Sequence, residues 1–268
     1  MEEDIRFFDE RSAEYAAAFQ KLVACDRDGE RELLAVVRSV CEGRGRAARA
    51  VDWGAGTGRI TRELCARFDD VVAVEPSASM RERLAVAAPT ARALAATIDD
   101  VALPERVEVA VLSHVLYHVP DHLWGATVVR CARQLADDGV LLVVLKHPES
   151  GCNAMLEAFG AARYDLYRLA ATLRRHPEYV LELRAAPGRL CTSSLADTLE
   201  IARFMLCDRK RTGFTRLPSE REFAAWVARH FWDEARGAGG WDLPQAFALI
   251  RPNPAWPARA GRSPHAAR

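Results

Sequence analysis

The chain has 268 residues, half of them apolar, which is typical of a globular protein with one sizeable core. Its 37 basic and 37 acidic residues cancel, and no apolar run reaches the roughly 18 residues of a membrane span, so neither a nucleic-acid nor a membrane partner is expected. Seven scattered cysteines without a C-x-x-C pair, behind an acidic start, predict reduced thiols in a cytoplasmic protein.

The first 42 residues carry two helical patterns. Ser12 can cap a helix whose apolar residues begin at Ala13, and a second apolar run covers residues 33–37. A glycine- and arginine-rich loop at 43–46 then breaks the pattern. We therefore predict that residues 1–42 form an N-terminal helical cap.

From residue 50 to residue 146, short apolar runs alternate with longer helical patterns. The runs predict strands at 50–53, 71–75, 91–94, 107–113 and 139–146. The intervening patterns predict helices at 57–68, 77–87 and 121–136. This alternation predicts an α/β fold with a doubly wound, mostly parallel sheet in a core of residues 43–150, which binds its ligand at the carboxyl ends of the strands.

After residue 150 the alternation loosens. Helical patterns cover 153–176, 195–208 and 219–232, and apolar stretches predict a strand at 179–183 and a closing edge strand at 246–250. The two strands would bring the sheet to seven, with residues 151–252 forming helical additions and closing strands of the same domain. Residues 253–268, rich in proline, alanine and arginine, predict a disordered tail.

A glycine turn follows the first strand of the predicted core. Gly54, Gly56 and Gly58 would let a bulky ligand lie against the backbone, where a Cβ atom would collide with it. A dinucleotide fingerprint needs a small residue one position later, and Arg59 stands there. The G-x-G-x-G spacing after Asp52 therefore disfavours an NAD-dependent oxidoreductase, although a merely structural turn remains open.

An acidic residue ends the second strand, twenty-one residues after Gly54. The carboxylate of Glu75 can accept hydrogen bonds from both hydroxyls of a ribose, or it can cap the helix that begins near Ser77. Between the third and fourth strands, Asp99 or Asp100 can accept from an adenine amine, or cap a short helix. Together the glycines and Glu75 predict a nucleoside site.

Two histidines follow the fourth strand. His114 and His118 are four residues apart, so they face one cavity if the segment is helical, and histidine accepts protons near neutral pH. His122 continues the spacing and raises the alternative of a metal site, but Pro120 would break the helical stripe. No metal is expected, and ordinary loop histidines remain an alternative.

These segments resemble a known family. The runs VDWGAGTGRI, AVEPSASM, LSHVLYHVPD and LLVVLKHPESG are similar, in this order, to class I S-adenosylmethionine-dependent methyltransferases. More narrowly, residues from about 10 to 250 resemble the histamine N-methyltransferase-like small-molecule group. The resemblance implies a Rossmann-like fold with a helical acceptor lid, S-adenosylmethionine as donor, S-adenosylhomocysteine as product and a small-molecule acceptor.

The resemblance and the motifs together predict which residues contact the donor. They are Tyr15, Gly54, Ala55, Gly56, Glu75, Pro76, Ser77, Met80, Thr97, Ile98, Asp99 and Ser113. Tyr15 is included because an N-terminal helix commonly closes over the donor in such enzymes. Position 114 would line the boundary between donor and acceptor, and position 118 the acceptor pocket.

The sequence predicts the acceptor less narrowly than it predicts the donor. The family's amine binders carry glutamine and tyrosine where this chain has His114 and His118, which disfavours histamine. Their asparagine near the closing strand is matched by Asp242 or Leu243. Either histidine is a candidate general base for an acceptor that loses a proton, such as an amine, a phenol or an indole, in secondary metabolism. Transfer to N, C or O stays open, as does a protein that binds the nucleoside without transferring a methyl group.

Overall fold

The computed structural model describes residues 3–9, 12–208 and 211–256. Residues 1, 2, 10 and 11 of the predicted cap and residues 257–268 of the predicted tail therefore lie outside the described residues. The first residues of that tail, 253–256, form a turn in which the Asn253 N–H donates to the carbonyl of Glu178 at 2.9 Å.

The strands of the described residues form two sheets. In chain order they are β1 Arg49–Trp53, β2 Asp70–Val74, β3 Arg92–Leu94, β4 Val107–Ser113, β5 Leu135–Lys146, β6 Tyr179–Ala186, β7 Arg189–Thr192, β8 Trp232–Asp233, β9 Ala238–Asp242 and β10 Gln245–Pro252. The larger sheet has seven strands in the order β3-β2-β1-β4-β5-β10-β6. The predicted doubly wound, mostly parallel seven-stranded sheet is confirmed.

The last strand of the larger sheet is interior. β10 runs antiparallel to β5 on one side and to β6 on the other, so the prediction of a closing edge strand at 246–250 is wrong, and β6 is the edge. The six residues Gln245–Ile250 are all buried, because an interior strand covered on both faces needs apolar side chains in both directions.

The helices of the described residues cover both faces of this sheet. They are α1 Ala13–Cys25, α2 Arg27–Cys41, α3 Arg59–Cys65, α4 Ala78–Ala87, α5 Trp124–Ala132, α6 Gly151–Ala158, α7 Leu169–Leu173, α8 Leu195–Cys207 and α9 Glu220–Phe231. The predicted cap of α1 is confirmed, because the Ser12 hydroxyl accepts from the Tyr15 N–H at 3.0 Å.

Alternate residues of the central strands enter two different cores. On β4, Val109 and Val111 pack with α2 and α3, whereas Ala110 and Leu112 pack with the helices of the opposite face. Burial on both faces explains why the strands are continuous apolar runs in the sequence. The strand order reverses between β1 and β4, which opens a crevice at their carboxyl ends.

Three predicted helices are clearly shorter than their patterns, since α3 covers only Arg59–Cys65 of the predicted 57–68 and two others are interrupted or begin late. The helix expected at 153–176 is interrupted after α6, where Gly160 has φ +72° and the Asn153 side chain bonds both backbone groups of Tyr164, at 2.8 and 3.0 Å. The helix expected at 121–136 begins as a 3-10 turn at Asp121–Leu123 and ends at Ala132. There the chain leaves for β5, which starts four residues earlier than predicted.

The smaller sheet, β7-β9-β8, has no counterpart among the predictions. Its middle strand is Ala-Gly-Gly-Trp-Asp and β8 has two residues, so neither carries an alternating apolar pattern. The sheet packs beside α8 through the side-chain hydroxyls of Thr192 and Thr198, which lie 2.6 Å apart.

The interior place of β10 can be tested by truncating one leucine. Leu249 is 1% exposed, so we expect Leu249→Ala to lower the free energy of unfolding by about 2–5 kcal/mol through the cavity it leaves. Leu183→Ala on β6, where the leucine is 37% exposed, is the matched control and should cost under about 1.5 kcal/mol. Urea unfolding measures both, and equal losses would contradict an interior β10.

Candidate functional site

The glycine turn is held against the neighbouring strand. The N–H groups of Gly54 and Ala55 both donate to the carbonyl of Val74, at 2.8 and 3.0 Å. Gly54 has φ +71°, and a Cβ atom there would lie 2.4 Å from the Val115 side chain, so only glycine fits. Gly56 also has positive φ, but a Cβ there would meet nothing within 4 Å, so the turn borders open space.

The Glu75 carboxylate lies across this open space. It is 7% exposed, and it accepts from the Gly56 N–H at 2.9 Å and from the Ser77 N–H at 2.8 Å. The second bond is at the start of α4, so the capping alternative and the ligand alternative both apply. A carboxylate has about four accepting positions, and these two bonds leave about half of them for a ligand.

A second carboxylate lies beneath the turn. Asp52 is 1% exposed and accepts from the Thr61 hydroxyl at 2.7 Å. Burial raises the pKa of Asp52 from 3.8 to about 7, with the nearby Glu75 raising it further and the Thr61 hydrogen bond opposing the shift. Asp52 therefore keeps its proton to a much higher pH than an exposed aspartate does.

The two aspartates in the segment after β3, Asp99 and Asp100, have different contacts. Asp100 accepts from the Thr97 hydroxyl at 2.6 Å and from its N–H at 3.3 Å, which makes it a cap of the 3-10 turn Ile98–Asp100. Asp99 forms an ion pair with Arg130 and lines the open space beside the turn. Of the two predicted adenine-edge residues, Asp99 therefore borders the cavity.

All twelve residues predicted to contact a donor line one cavity of about 420 Å³. This volume falls within the roughly 300–1,000 Å³ that is usual for small-molecule sites. The Ser113 hydroxyl oxygen is buried there and has no hydrogen-bond partner among the described residues. An unpartnered buried hydroxyl that borders a cavity fits a site built to bind a polar ligand. We call this space the donor cavity.

A smaller cavity, of about 70 Å³, lies next to the donor cavity, and we call it the inner cavity. Five residues line both spaces: Tyr15, Phe19, Arg59, His114 and His118. Further in, aromatic side chains form much of the wall, namely Tyr117, Tyr164 and Phe204. Both histidines and Tyr15 therefore lie where the two cavities meet.

His114 is held in a defined orientation. It has φ +59°, and its N–H donates to the Val144 carbonyl at 2.9 Å. Its Nδ1 lies 3.2 Å from the Tyr117 hydroxyl, which already accepts from the Lys146 N–H at 2.7 Å. The Tyr117 hydroxyl can donate its proton to Nδ1, and in that tautomer the imidazole proton is on Nε2.

The electrostatic surroundings keep His114 neutral. Burial holds the pKa of His114 well below 6.5, and the cations Lys146 and Arg59 lower it further, against a weaker opposing effect of Gln245. His118 ends a 3-10 turn at Leu116–His118, so the predicted helical segment is instead a single tight turn. Both histidines nevertheless line the same two cavities.

Two ion pairs in the inner cavity were missed from the sequence. Lys146 Nζ lies 2.9 Å from Asp26 Oδ2, with both side chains 8% exposed, and Arg59 pairs with Glu30. Burial lowers the pKa of Arg59 to about 10, so it stays charged at neutral pH. The sequence contained one indication of a buried ion pair, because Lys146 is the only charged residue in the predicted strand at 139–146.

A glutamine on β10 completes the polar side of the inner cavity. The Gln245 amide donates to the Gly29 carbonyl at 2.8 Å, and the Gln245 side chain also acts on His114, whose pKa this hydrogen bond raises against the effect of burial. The positions suggested by the resemblance lie elsewhere, since Asp242 pairs with Arg189 at 2.7 Å with both side chains exposed, and Leu243 is in the core. Neither Asp242 nor Leu243 lines the donor cavity or the inner cavity.

Neither a metal cluster nor a membrane helix is found in the described part of the chain. No group of three or more His, Cys, Asp or Glu side chains among residues 3–9, 12–208 and 211–256 could hold a metal ion. Within the same residues, no helix has the length and apolarity required to cross a membrane.

Comparison with known proteins gives a family for most of the chain. A family model described as a methyltransferase domain matches residues 8–230. An uncharacterized methyltransferase of Mycobacterium tuberculosis is 40% identical over 98 residues, which is 37% of this chain and 40% of that protein. One from Exiguobacterium sibiricum is 35% identical over 97 residues, 34% of this chain and 43% of that protein. The matched stretch thus spans about two fifths of these relatives.

Solved structures share the fold at low sequence identity. The YcgJ protein of Bacillus subtilis superposes with a TM-score of 0.59 at 17% identity, covering 83% of this chain and 99% of its own. The N-methyltransferase NodS of Bradyrhizobium japonicum, in complex with S-adenosyl-L-homocysteine, superposes with a TM-score of 0.52 at 12% identity. That match covers 91% of this chain and all of NodS.

The raised pKa of Asp52 predicts how stability depends on pH. Between pH 4 and pH 7 the folded protein holds a proton that the unfolded chain releases, so the free energy of unfolding falls as pH rises through this range. The fall is up to about 4 kcal/mol, at about 1.4 kcal/mol per unit. Asp52→Asn removes this penalty while keeping an acceptor for Thr61.

Urea unfolding at pH 5, 6, 7 and 8 measures the effect. The advantage of Asp52→Asn over the wild type should grow with pH and level off above pH 7. Asp137→Asn, at an exposed position, is the matched control and should follow the wild type throughout. An advantage of Asp52→Asn that is the same at every pH would contradict the assignment.

Proposed function

This chain belongs to the methyltransferase domain family, and from that premise we propose that it transfers a methyl group from S-adenosylmethionine to a small molecule held where the inner cavity meets the donor cavity. One observation carries the proposal. The donor cavity, which has the features of a nucleoside site, and the inner cavity, which is aromatic and polar, meet at His114, His118 and Arg59. A methyl group passed between two ligands needs such a junction.

The donor cavity fits S-adenosylmethionine through groups already placed in it. Glu75 keeps accepting positions for the two ribose hydroxyls, and the open space beside Gly56 lets the ligand approach the backbone. The unpartnered Ser113 hydroxyl offers a further polar contact, and Met80 and Ile98 provide apolar surface for the adenine. Tyr15 and Phe19, on α1, cover the donor cavity and limit water.

When bound, the donor supplies a methyl group on a sulfonium, which is already electrophilic. The protein is then required to align the acceptor, to exclude water and to take up a proton where the acceptor releases one. The proposed acceptor is an amine, a phenol or an electron-rich heteroaromatic such as an indole, because aromatic faces suit both flat rings and cations. A role in secondary metabolism in the cytoplasm is part of the same proposal.

The two histidines take different roles in this proposal. The proton on Nε2 of His114 makes that nitrogen a hydrogen-bond donor, and its lowered pKa makes it a weak base. His114 therefore orients an oxygen or nitrogen acceptor. His118 lines the same junction of the two cavities, and we assign it the role of general base.

The donor assignment is tested by removing one charge. Glu75→Gln should weaken binding of S-adenosylhomocysteine by about 10- to 100-fold, because hydrogen bonds to a charged group are worth about 1.5–3 kcal/mol. Glu82→Gln, on the exposed face of α4, is the matched control and should bind as the wild type does. Isothermal titration calorimetry measures affinity, and thermal melting checks folding. A wild type that gives no heat would refute the proposed function.

The base assignment is tested by kinetics with an acceptor identified by mass spectrometry from a panel of amines, phenols and indoles. His118→Ala should lower kcat by about 10²- to 10⁴-fold and remove the acidic limb of the pH–rate profile. His118→Gln keeps a hydrogen-bonding side chain without basicity, so it should be equally slow. If His118→Ala stays within a few-fold of the wild type, or Gln restores the rate, His118 is not the base.

A further inference from the structure

A second cleft lies apart from the donor and inner cavities. It has a volume of about 570 Å³, and its walls come from α5 and from the segment 163–176, which includes α7. It shares no lining residue with either of the other two spaces. The function proposed above uses the donor cavity and the inner cavity and therefore does not involve this cleft.

Positive charge is concentrated in this cleft although the whole chain has none in excess. Four arginines line it, against two aspartates: Arg133, Arg163, Arg168, Arg175, Asp121 and Asp165. Arg163 is neutralised by Glu157 at 2.7 Å, and Arg168 lies 3.7 Å from Asp165. Arg133 and Arg175 have no ion pair among the described residues, and both are exposed.

The two unpaired arginines come from opposite walls. Arg133 follows the last residue of α5, and Arg175 follows the end of α7. A cation at a helix C-terminus is favourable in itself, because it offsets the helix dipole. That effect does not require both guanidinium groups to line one cleft, and Arg174, at the C-cap of α7, has the same dipole interaction outside it.

The floor of the cleft is apolar. Trp124, Val129 and Leu169 line it, and all three are buried. α5 and α7 approach closely at Gly125, where a Cβ atom would lie 2.6 Å from the Thr172 side chain. An apolar floor below unpaired guanidinium groups suits an organic molecule that carries an anionic group, with the anionic group on the guanidinium groups.

We propose that this cleft binds a phosphate group of a small organic molecule. Two guanidinium groups can each donate paired N–H bonds to phosphate oxygens, a geometry that arginine provides and lysine does not. The volume of the cleft is within the usual range for small-molecule sites. A concave cleft fits a free phosphate compound better than the headgroups of a flat membrane.

Inorganic pyrophosphate is the first probe, titrated into the full chain by calorimetry. The wild type should bind it, and Arg133→Gln and Arg175→Gln should each weaken binding by roughly tenfold, since each removes a charge-assisted contact. Arg174→Gln is the matched control and should bind as the wild type does. Circular dichroism melts and titration with S-adenosylhomocysteine check that every variant is folded.

Each other outcome overturns the proposal. A wild type without heat shows that the cleft takes no phosphate, and equal losses in Arg174→Gln show a non-specific effect of charge. Binding to phosphatidylglycerol vesicles in the absence of pyrophosphate binding assigns the cleft to a lipid surface instead. None of these results bears on the donor cavity, because S-adenosylhomocysteine is titrated separately.

Discussion

The hydrogen bonds of the Glu75 carboxylate join the two strands on which the site depends. One oxygen accepts from Gly56, in the turn after β1, and the other from Ser77, just before α4. The carboxylate thus ties the carboxyl ends of β1 and β2 together at the crevice where the strand order reverses. The turn can stay open towards a ligand because Gly54 packs against Val115 and Glu75 holds the next residues in place. The same group that shapes the cavity is free to accept from what enters it.

In the inner cavity, two cationic side chains are each paired with a carboxylate. Burying two ion pairs is costly unless each member keeps a partner, and here Asp26 holds Lys146 while Glu30 holds Arg59. The balanced pairs let two cations stand near His114, whose pKa they help to lower. The imidazole of His114 is therefore neutral in surroundings that contain two cations. The two ion pairs and the neutral His114 therefore determine the charge distribution of this cavity without a ligand.

The sequence predicted features that depend on neighbouring residues and missed contacts between residues that lie far apart in the chain. The central strands and the glycine turn were predictable because burial on both faces and positive φ each leave a mark within a few residues. The pairing of Asp26 with Lys146 joins residues 120 positions apart, and the contact of Gln245 with Gly29 spans 216, so no spacing rule reaches them. The edge assignment of 246–250 failed for a similar reason, since an apolar run does not state how many neighbours it pairs with.

The interior position of β10 has a consequence for the order in which the protein is made. Among the described residues, β6 pairs in the large sheet with β10 alone, and β10 is synthesised almost sixty residues later. While the ribosome translates that interval, β5 and β6 each lack the strand that will separate them. Gln245 arrives with β10 opposite Lys146 and closes the polar wall of the inner cavity. During translation, the parallel half of the sheet can therefore form early, whereas the wall of the inner cavity that includes Gln245 is the last to be assembled.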